Sequence, residues 1–313
     1  MPSSRQRNYT SIQVQNIEIK LSNLNKLFYE QTGTTKAEVI DYYIRISPAL
    51  LPHLADRPLT LKRYPDGAGG KFFYQKECPV HRPCWVKTVP VWSGKNQRHI
   101  KFCLIQDLPT LIWAVNLAAL ELHTSLSRSL DISTPTMLVF DLDPGSPATI
   151  LDCAQVSLWI RDVLACYNLA SFPKTSGSKG LQVYIPLNSS SGYGNTKSFA
   201  RTLAKLLEKR HPNQVVSNMR KALRIGKVFI DWSQNDAHKT TVCVYSLRAV
   251  HQPNVSTPIT WEEVENAVYR RDPSLLTFTT QQVLERVKNL GDLFEPVLSL
   301  QQTLPSLQHL PTK

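Results

Sequence analysis

The chain has 313 residues, 42% of them hydrophobic, enough for one large core or two modest ones. Its 36 Lys and Arg against 24 Asp and Glu leave a formal charge of +12, an excess that favours polyanionic partners, nucleic acid first, through counterion release and steering. The most apolar segment, 111–122, is too short to cross a bilayer, and residues 1–10 are polar and basic with no apolar signal region. These features argue against membrane and secretory classes and predict a cytoplasmic protein.

Ile17, Ile19 and Leu21 alternate as in a short strand. Thr35 with Glu38 forms a capping box opening a helix through about Ile46, after which Pro48 and Pro52 break the pattern. Strands are predicted at 59–63, 71–75, 86–91 and 99–105. Lys87, Lys95, Arg98, His99 and Lys101 flank the turn Ser93-Gly94-Lys95-Asn96 beside Trp92, a basic hairpin with an aromatic that suits a strand with exposed bases. Six cysteines without a disulfide-like framework fit a reducing compartment. Cys78, His81 and Cys84, with Cys103 as a fourth, could supply soft zinc ligands, although the spacing is wider than structural zinc sites use. A buried helix is predicted from Leu111 to near His123, where the histidine is a polar cap or a site residue.

The apolar run from Met137 to Phe140 leads into Asp141-Leu142-Asp143-Pro144-Gly145. Residues i and i+2 of a strand share a face, so Asp141 and Asp143 project side by side where Pro144 and Gly145 end the strand. Their mutual repulsion is relieved by a hard cation such as Mg²⁺ or Mn²⁺. The alternative is a strand end with two solvated acids. A helix over 150–169 follows, then Lys174-Thr175-Ser176-Gly177-Ser178-Lys179-Gly180, whose small residues let backbone N–H groups converge on an anion while Lys179 adds a charge. It is not a Walker A loop, because its glycines lead into a strand, 181–186, rather than a helix. After a helix at 197–211, the apolar strand 227–232 places Asp231 as a third carboxylate, and three carboxylates can hold two divalent ions roughly 3.5–4 Å apart for phosphoryl transfer. Gln234, Lys239 and Arg248 come shortly afterwards, and two short helices, 261–269 and 281–290, close the chain.

These residues carry a resemblance. Leu-Ser-Asn-Leu-Asn-Lys from Leu21, Thr-Gly-Thr-Thr-Lys from Thr32, the run Arg57 to Gly67, Phe-Asp-Leu-Asp-Pro-Gly from Phe140, Ser-Gly-Ser-Lys-Gly from Ser176 and Asp-Trp-Ser-Gln-Asn from Asp231 occur in order from about Ile19 to Pro305. The chain resembles the polymerase domain of the bacterial multifunctional DNA-repair ligases, the end-joining primase-polymerases of the archaeo-eukaryotic primase superfamily. The resemblance implies an α/β (α+β) primase-like core around a central mixed sheet, with a smaller N-terminal α/β portion. The catalytic domain would run over 16–305, between a flexible N-terminus, 1–15, and a tail, 306–313.

Residue by residue, the resemblance implies that Asp141, Asp143 and Asp231 bind Mn²⁺ or Mg²⁺, two ions with no organic cofactor. It implies nucleotide binding by Lys62, His123, Ser176, Lys179, Gln182, Gln234, Lys239 and Arg248, a DNA 5′-phosphate pocket at Asn23, Lys26 and Lys36, and template stacking by Phe73 and Tyr74. Gln182 departs from the family, which usually has histidine there; glutamine donates a hydrogen bond but cannot become cationic. The implied activity is template-dependent addition of ribonucleotides or deoxyribonucleotides, ribonucleotides favoured, to 3′ ends at 5′-phosphorylated gaps and breaks in DNA. A Ku-type end-binding protein is the implied partner. No Lys-x-Asp-Gly ligase motif occurs, so a separate DNA ligase is expected, and no phosphoesterase module is expected. The alternatives are a catalytically weak DNA-end bridging module and a de novo primase.

Overall fold

The computed structural model describes residues 9–305. One sheet has five strands in the order Phe172–Thr175, Leu181–Pro186, Met137–Pro144, Val228–Asp231 and Val215–Val216. All neighbours are antiparallel except the last pair. A second sheet runs Thr241–Val242, Ala119–Thr124, Leu59–Arg63, Arg98–Cys103 and Thr88–Ser93, with Phe73–Gln75 also paired to Leu59–Arg63. The helices Ile150–Ala165 and Tyr193–Arg210 pack on Met137–Pro144, whose Leu138, Phe140 and Leu142 are fully buried. One continuous cluster of buried apolar side chains joins both sheets. The mixed α/β class read from the sequence holds, and the N-terminal portion carries a sheet of its own. No helix among the described residues is long and apolar enough to cross a membrane.

The Thr35–Glu38 capping box opens a helix, but it runs Lys36–Leu54, straight through Pro48 and Pro52. Pro48 cannot donate to the carbonyl of Ile44, and the Ser47 hydroxyl donates to that oxygen instead, at 2.7 Å. Leu111 to His123 is not one helix. The helix is Leu108–Asn116, capped by Asp107, and a turn with Ala118 at φ 65° delivers the chain into the strand Ala119–Thr124. That strand lies inside its sheet between two partners and its residues 119–122 are all buried, so it shows no alternation to separate it from a buried helix.

Residues 9–14 are not a loose N-terminus: Tyr9–Val14 pairs antiparallel with Ile17–Ser22. The rest of that expected segment, 1–8, and the tail 306–313 lie outside the described residues. Sequence reading also missed the short strand Phe172–Thr175. The cysteines need a second correction, because Cys78 is disulfide-bonded to Cys103, fastening the turn after Phe73–Gln75 to the Arg98–Cys103 strand. Cys78 and Cys103 are therefore not thiolate ligands, Cys84 stands alone and exposed, and no zinc cluster forms among the described residues. The basic hairpin is present, with Trp92 opposite His99 and their rings edge-on at 5.3 Å.

Candidate active site and nucleic-acid interface

Strand register assembles the site. Lys174 pairs with Gln182, Gln182 with Asp141, and Asp141 with Asp231, so these four form one row across the sheet on a single face. Asp143, two residues along, stands on the same face. Burial, then the charge of Asp143, pushes the Asp141 carboxyl up to about 7, and burial with the charge of Asp231 raises Asp143 as well. None of the three carboxylates makes an ion pair among the described residues. Asp141 accepts instead from the Gln182 amide at 2.9 Å. Asp231 accepts from the Ser233 N–H at 3.0 Å and its hydroxyl at 2.5 Å, and from Gln234 at 2.9 Å.

Hard oxygen donors gathered on one face, with no direct ion pair to a chain cation among the described residues, are the donor set that suits Mg²⁺ or Mn²⁺. As the side chains stand, no three His, Cys, Asp or Glu among the described residues converge tightly enough to hold one ion. Asp231 is turned into its own 3₁₀ turn, Trp232–Gln234, where it caps the Ser233 N–H.

The loop 176–180 is ordered by its own hydroxyl. Ser176 Oγ accepts from the Ser178 N–H at 3.3 Å and the Gly180 N–H at 3.1 Å. Two glycines let it lie against the site. Gly177 has φ +71° with a Cβ position 2.7 Å from backbone atoms of 255–256, and a Cβ on Gly180 would stand 2.2 Å from the Leu142 carbonyl oxygen.

A cavity of about 530 Å³, within the range of small-molecule sites, opens over this face and is lined by Asp141, Asp143, His123, Ser176, Lys179, Gln182, Gln234, Lys239, Arg248 and Tyr74. Seven of the eight residues expected to bind nucleotide therefore meet two of the three aspartates. Gln182 lines the cavity but is buried, its amide committed to Asp141. Lys239 Nζ is held on Ser233 Oγ, and Arg248 Nη1 donates to the Ser176 carbonyl at 2.5 Å.

The exception is Lys62, which is not on the cavity wall. It pairs with Glu121 at 3.1 Å, and its ammonium lies 4.4 Å from the Phe72 ring. Sequence reading missed Glu121, a buried carboxylate that accepts from Lys62, Tyr64, His123 and the Ala249 N–H and lies 3.3 Å from Arg248 Nε. Burial opposes its ionisation, yet the hydrogen bond from His123 and the Arg248 and Lys62 charges hold its carboxyl well below the usual range. Burial, in turn, lowers His123 despite that bond. An acid within the apolar run 111–122 was the available signal. Lys174 was also missed: fully buried, it donates to Ser256 Oγ at 2.6 Å, and burial pulls its ammonium down to about 7.

At the expected 5′-phosphate pocket, Asn23 sits at φ 54° in the turn that leads to Lys26, and the Lys36 N–H donates to the Lys26 carbonyl at 2.8 Å. Lys26 Nζ reaches the Pro65 carbonyl at 2.5 Å and Asp66 at 3.2 Å. Lys36 is buried on neutral oxygens of Ser22 and Asn116, and burial, with Lys26 and Arg63 nearby, lowers it to about 8. Phe73 and Tyr74 are both exposed, the Arg63 guanidinium standing 5.1 Å from the Phe73 ring and Tyr74 edge-on to His123 at 6.1 Å.

Comparison with known proteins finds relatives along most of the chain. The family model described as LigD, primase-polymerase domain, matches residues 35–294. The multifunctional non-homologous end joining protein LigD of Mycolicibacterium smegmatis is 38% identical over 283 residues, spanning 89% of this chain and 36% of its own length. The bifunctional LigD of Bacillus subtilis is 32% identical over 275 residues, 88% of this chain and 43% of its own. The chain thus spans less than half the length of these relatives. A solved structure, the polymerase domain from Mycobacterium tuberculosis Ligase D in complex with DNA, superposes with a TM-score of 0.83 at 37% identity, covering 91% of this chain and 99% of that one.

Proposed function

The chain belongs to the LigD primase-polymerase domain family, and from that premise we propose that it is a template-dependent nucleotidyltransferase that fills gaps and extends 3′ ends during end-joining repair of double-strand breaks. The observation that carries this reading is the register placing Asp141 beside Asp231, with Asp143 on the same face, under a cavity walled by Lys179, Lys239 and Arg248. The 3′ hydroxyl attacks the α-phosphate of a nucleoside triphosphate, forming the new phosphodiester as the bond to pyrophosphate breaks. Asp141, Asp143 and Asp231 would hold two divalent ions, Mn²⁺ or Mg²⁺, which supply Lewis-acid activation of the hydroxyl and neutralise developing phosphate charge.

The chain's own groups do the rest. Lys179, Lys239 and Arg248 bind the triphosphate and His123 lines the nucleotide pocket beside them; Ser176 orders the loop beneath it; Gln182 and Gln234 orient Asp141 and Asp231 by hydrogen bonds. Lys62, off the cavity wall, acts on the nucleotide through its Glu121 partner. Phe73 and Tyr74 stack on template bases, as exposed aromatics beside a basic surface suit. Asn23, Lys26 and Lys36 recognise the 5′-phosphate across a gap, a reading supported by a buried Lys36 that has no carboxylate partner among the described residues. Ribonucleotide preference, a Ku-type partner and location at the nucleoid rest on family resemblance.

The test is extension of a gapped primer-template with Mn²⁺ and either ribo- or deoxyribonucleotides, with and without a downstream 5′-phosphate. Stimulation by the phosphate and faster ribonucleotide addition are expected. Equal extension without the phosphate removes the end-recognition claim, and no extension in any arm removes the polymerase claim, leaving the DNA-end bridging alternative.

A further inference from the structure

Glu121 lies on the strand Ala119–Thr124, directly across from Lys62 and two residues from His123, so strand pairing and alternation put all three side chains on one face. Its two oxygens serve separate groups. Oε1 accepts from Lys62 Nζ at 3.1 Å, Tyr64 OH at 3.0 Å and the Ala249 N–H at 3.2 Å. Oε2 accepts from His123 Nε2 at 2.9 Å and faces Arg248 Nε at 3.3 Å. A carboxylate offers about four lone-pair sites and no donor, so it is used fully here. His123 and Arg248 line the cavity with their other atoms, and Arg248 Nη1 continues to the Ser176 carbonyl of the phosphate loop. Glu121 itself is 1% exposed and does not reach the cavity.

We propose that Glu121 is a positioning residue for the incoming nucleotide: it fixes His123 and Arg248, and through Arg248 the Ser176 loop, in the orientation that receives the triphosphate. This rests on the nucleotidyltransferase reading of the site. Isosteric Glu121→Gln tests it, because the amide nitrogen must face either the Lys62–Tyr64–Ala249 donors or the His123 donor with the ion-paired Arg248 guanidinium, and either choice sets donors against one another.

Single-nucleotide gap extension is measured across nucleotide concentrations for the unaltered chain, Glu121→Gln and Glu121→Asp. The Glu121→Gln variant raises the nucleotide KM by about tenfold or more, as loss of one or two charged hydrogen bonds implies, while kcat stays within about threefold and affinity for gapped DNA is retained. Glu121→Asp, which keeps the charge, recovers part of the loss. A native KM in Glu121→Gln, or a fall in kcat and thermal stability with the KM unmoved, overturns the inference. Should Glu121→Gln fail to fold, Glu121→Asp decides alone: a raised KM with retained DNA affinity supports it, and a native KM overturns it. An unaltered chain that adds no nucleotide refutes the reading of the site instead.

Discussion

Gly180→Ala tests how closely the phosphate loop must approach the aspartate strand. The added Cβ would lie 2.2 Å from the Leu142 carbonyl oxygen, in the peptide between Asp141 and Asp143, and 3.8 Å from Asp143 Oδ1. Ordinary carbon–oxygen contact is about 3.3 Å, so the loop and strand must part by roughly 1 Å. Neither side yields easily. Gly180 is tied to Ser176 at both its N–H and its carbonyl, and Leu142 is paired to Ile230 and Leu181 in the sheet. Overpacking of this kind costs about 1–3 kcal/mol, which at about 2–4 °C per kcal/mol for a large domain lowers Tm by several degrees.

The functional effect should be larger. A misplacement of about 1 Å between groups that position a substrate can cost about 10²-fold in rate. Calorimetric melting and steady-state nucleotide addition measure the two effects, with Gly194→Ala as control, since that position meets nothing within 4 Å inside the helix Tyr193–Arg210. Native kcat/KM and Tm in Gly180→Ala would refute the argument that the loop is seated backbone to backbone on the aspartate strand.

Asp141→Asn should abolish nucleotide addition, by more than about 10³-fold if it supplies a metal ligand, while binding of gapped DNA in a filter assay persists; residual addition above a few per cent would sink the metal-ligand assignment. Lys26→Ala should lower the ratio of extension with and without a downstream 5′-phosphate toward unity, measured on otherwise identical gapped substrates. Asp292 provides a pH test. Burial works against its ionisation, but the His53 hydrogen bond and charge and the Tyr245 hydroxyl hold its carboxyl below the ordinary value. A depressed folded pKa gives stability that is present above the unfolded value near ~3.9 and lost as pH falls through the folded one. Asp292→Asn should therefore destabilise the protein in urea melts at pH 7, with the difference from the unaltered chain shrinking below about pH 4.

Local pattern carried a large part of this protein. The strands 59–63 and 181–186, the capping box at Thr35, and the placement of Asp141 and Asp143 on one face follow from alternation and end signals confined to a few neighbouring residues. The chemistry of the site was legible for the same reason, because the aspartates, Ser176, Lys179 and Arg248 lie in compact motifs. What depended on distant segments was not. The stretch 111–124 is apolar throughout, and only its burial between two strands makes its second half a strand with His123 and Glu121 on one face. Pro48 sits inside a helix because a neighbouring serine takes over the carbonyl it leaves unpaired.

The grouping of Cys78, His81 and Cys84 left a zinc site open, at a spacing wider than such sites use, whereas folding brings Cys78 to Cys103, 25 residues away. Sequence could group Asp231 with the other two carboxylates but not show which strands carry them side by side. The pairing with Asp141 across 90 residues is set by sheet register, which depends on which strands are adjacent rather than on any residue's neighbours in the chain. Glu121 shows the same division most sharply: an acid in a local apolar run has no visible role until Lys62 and Arg248, from separate segments, close around it beside its strand neighbour His123.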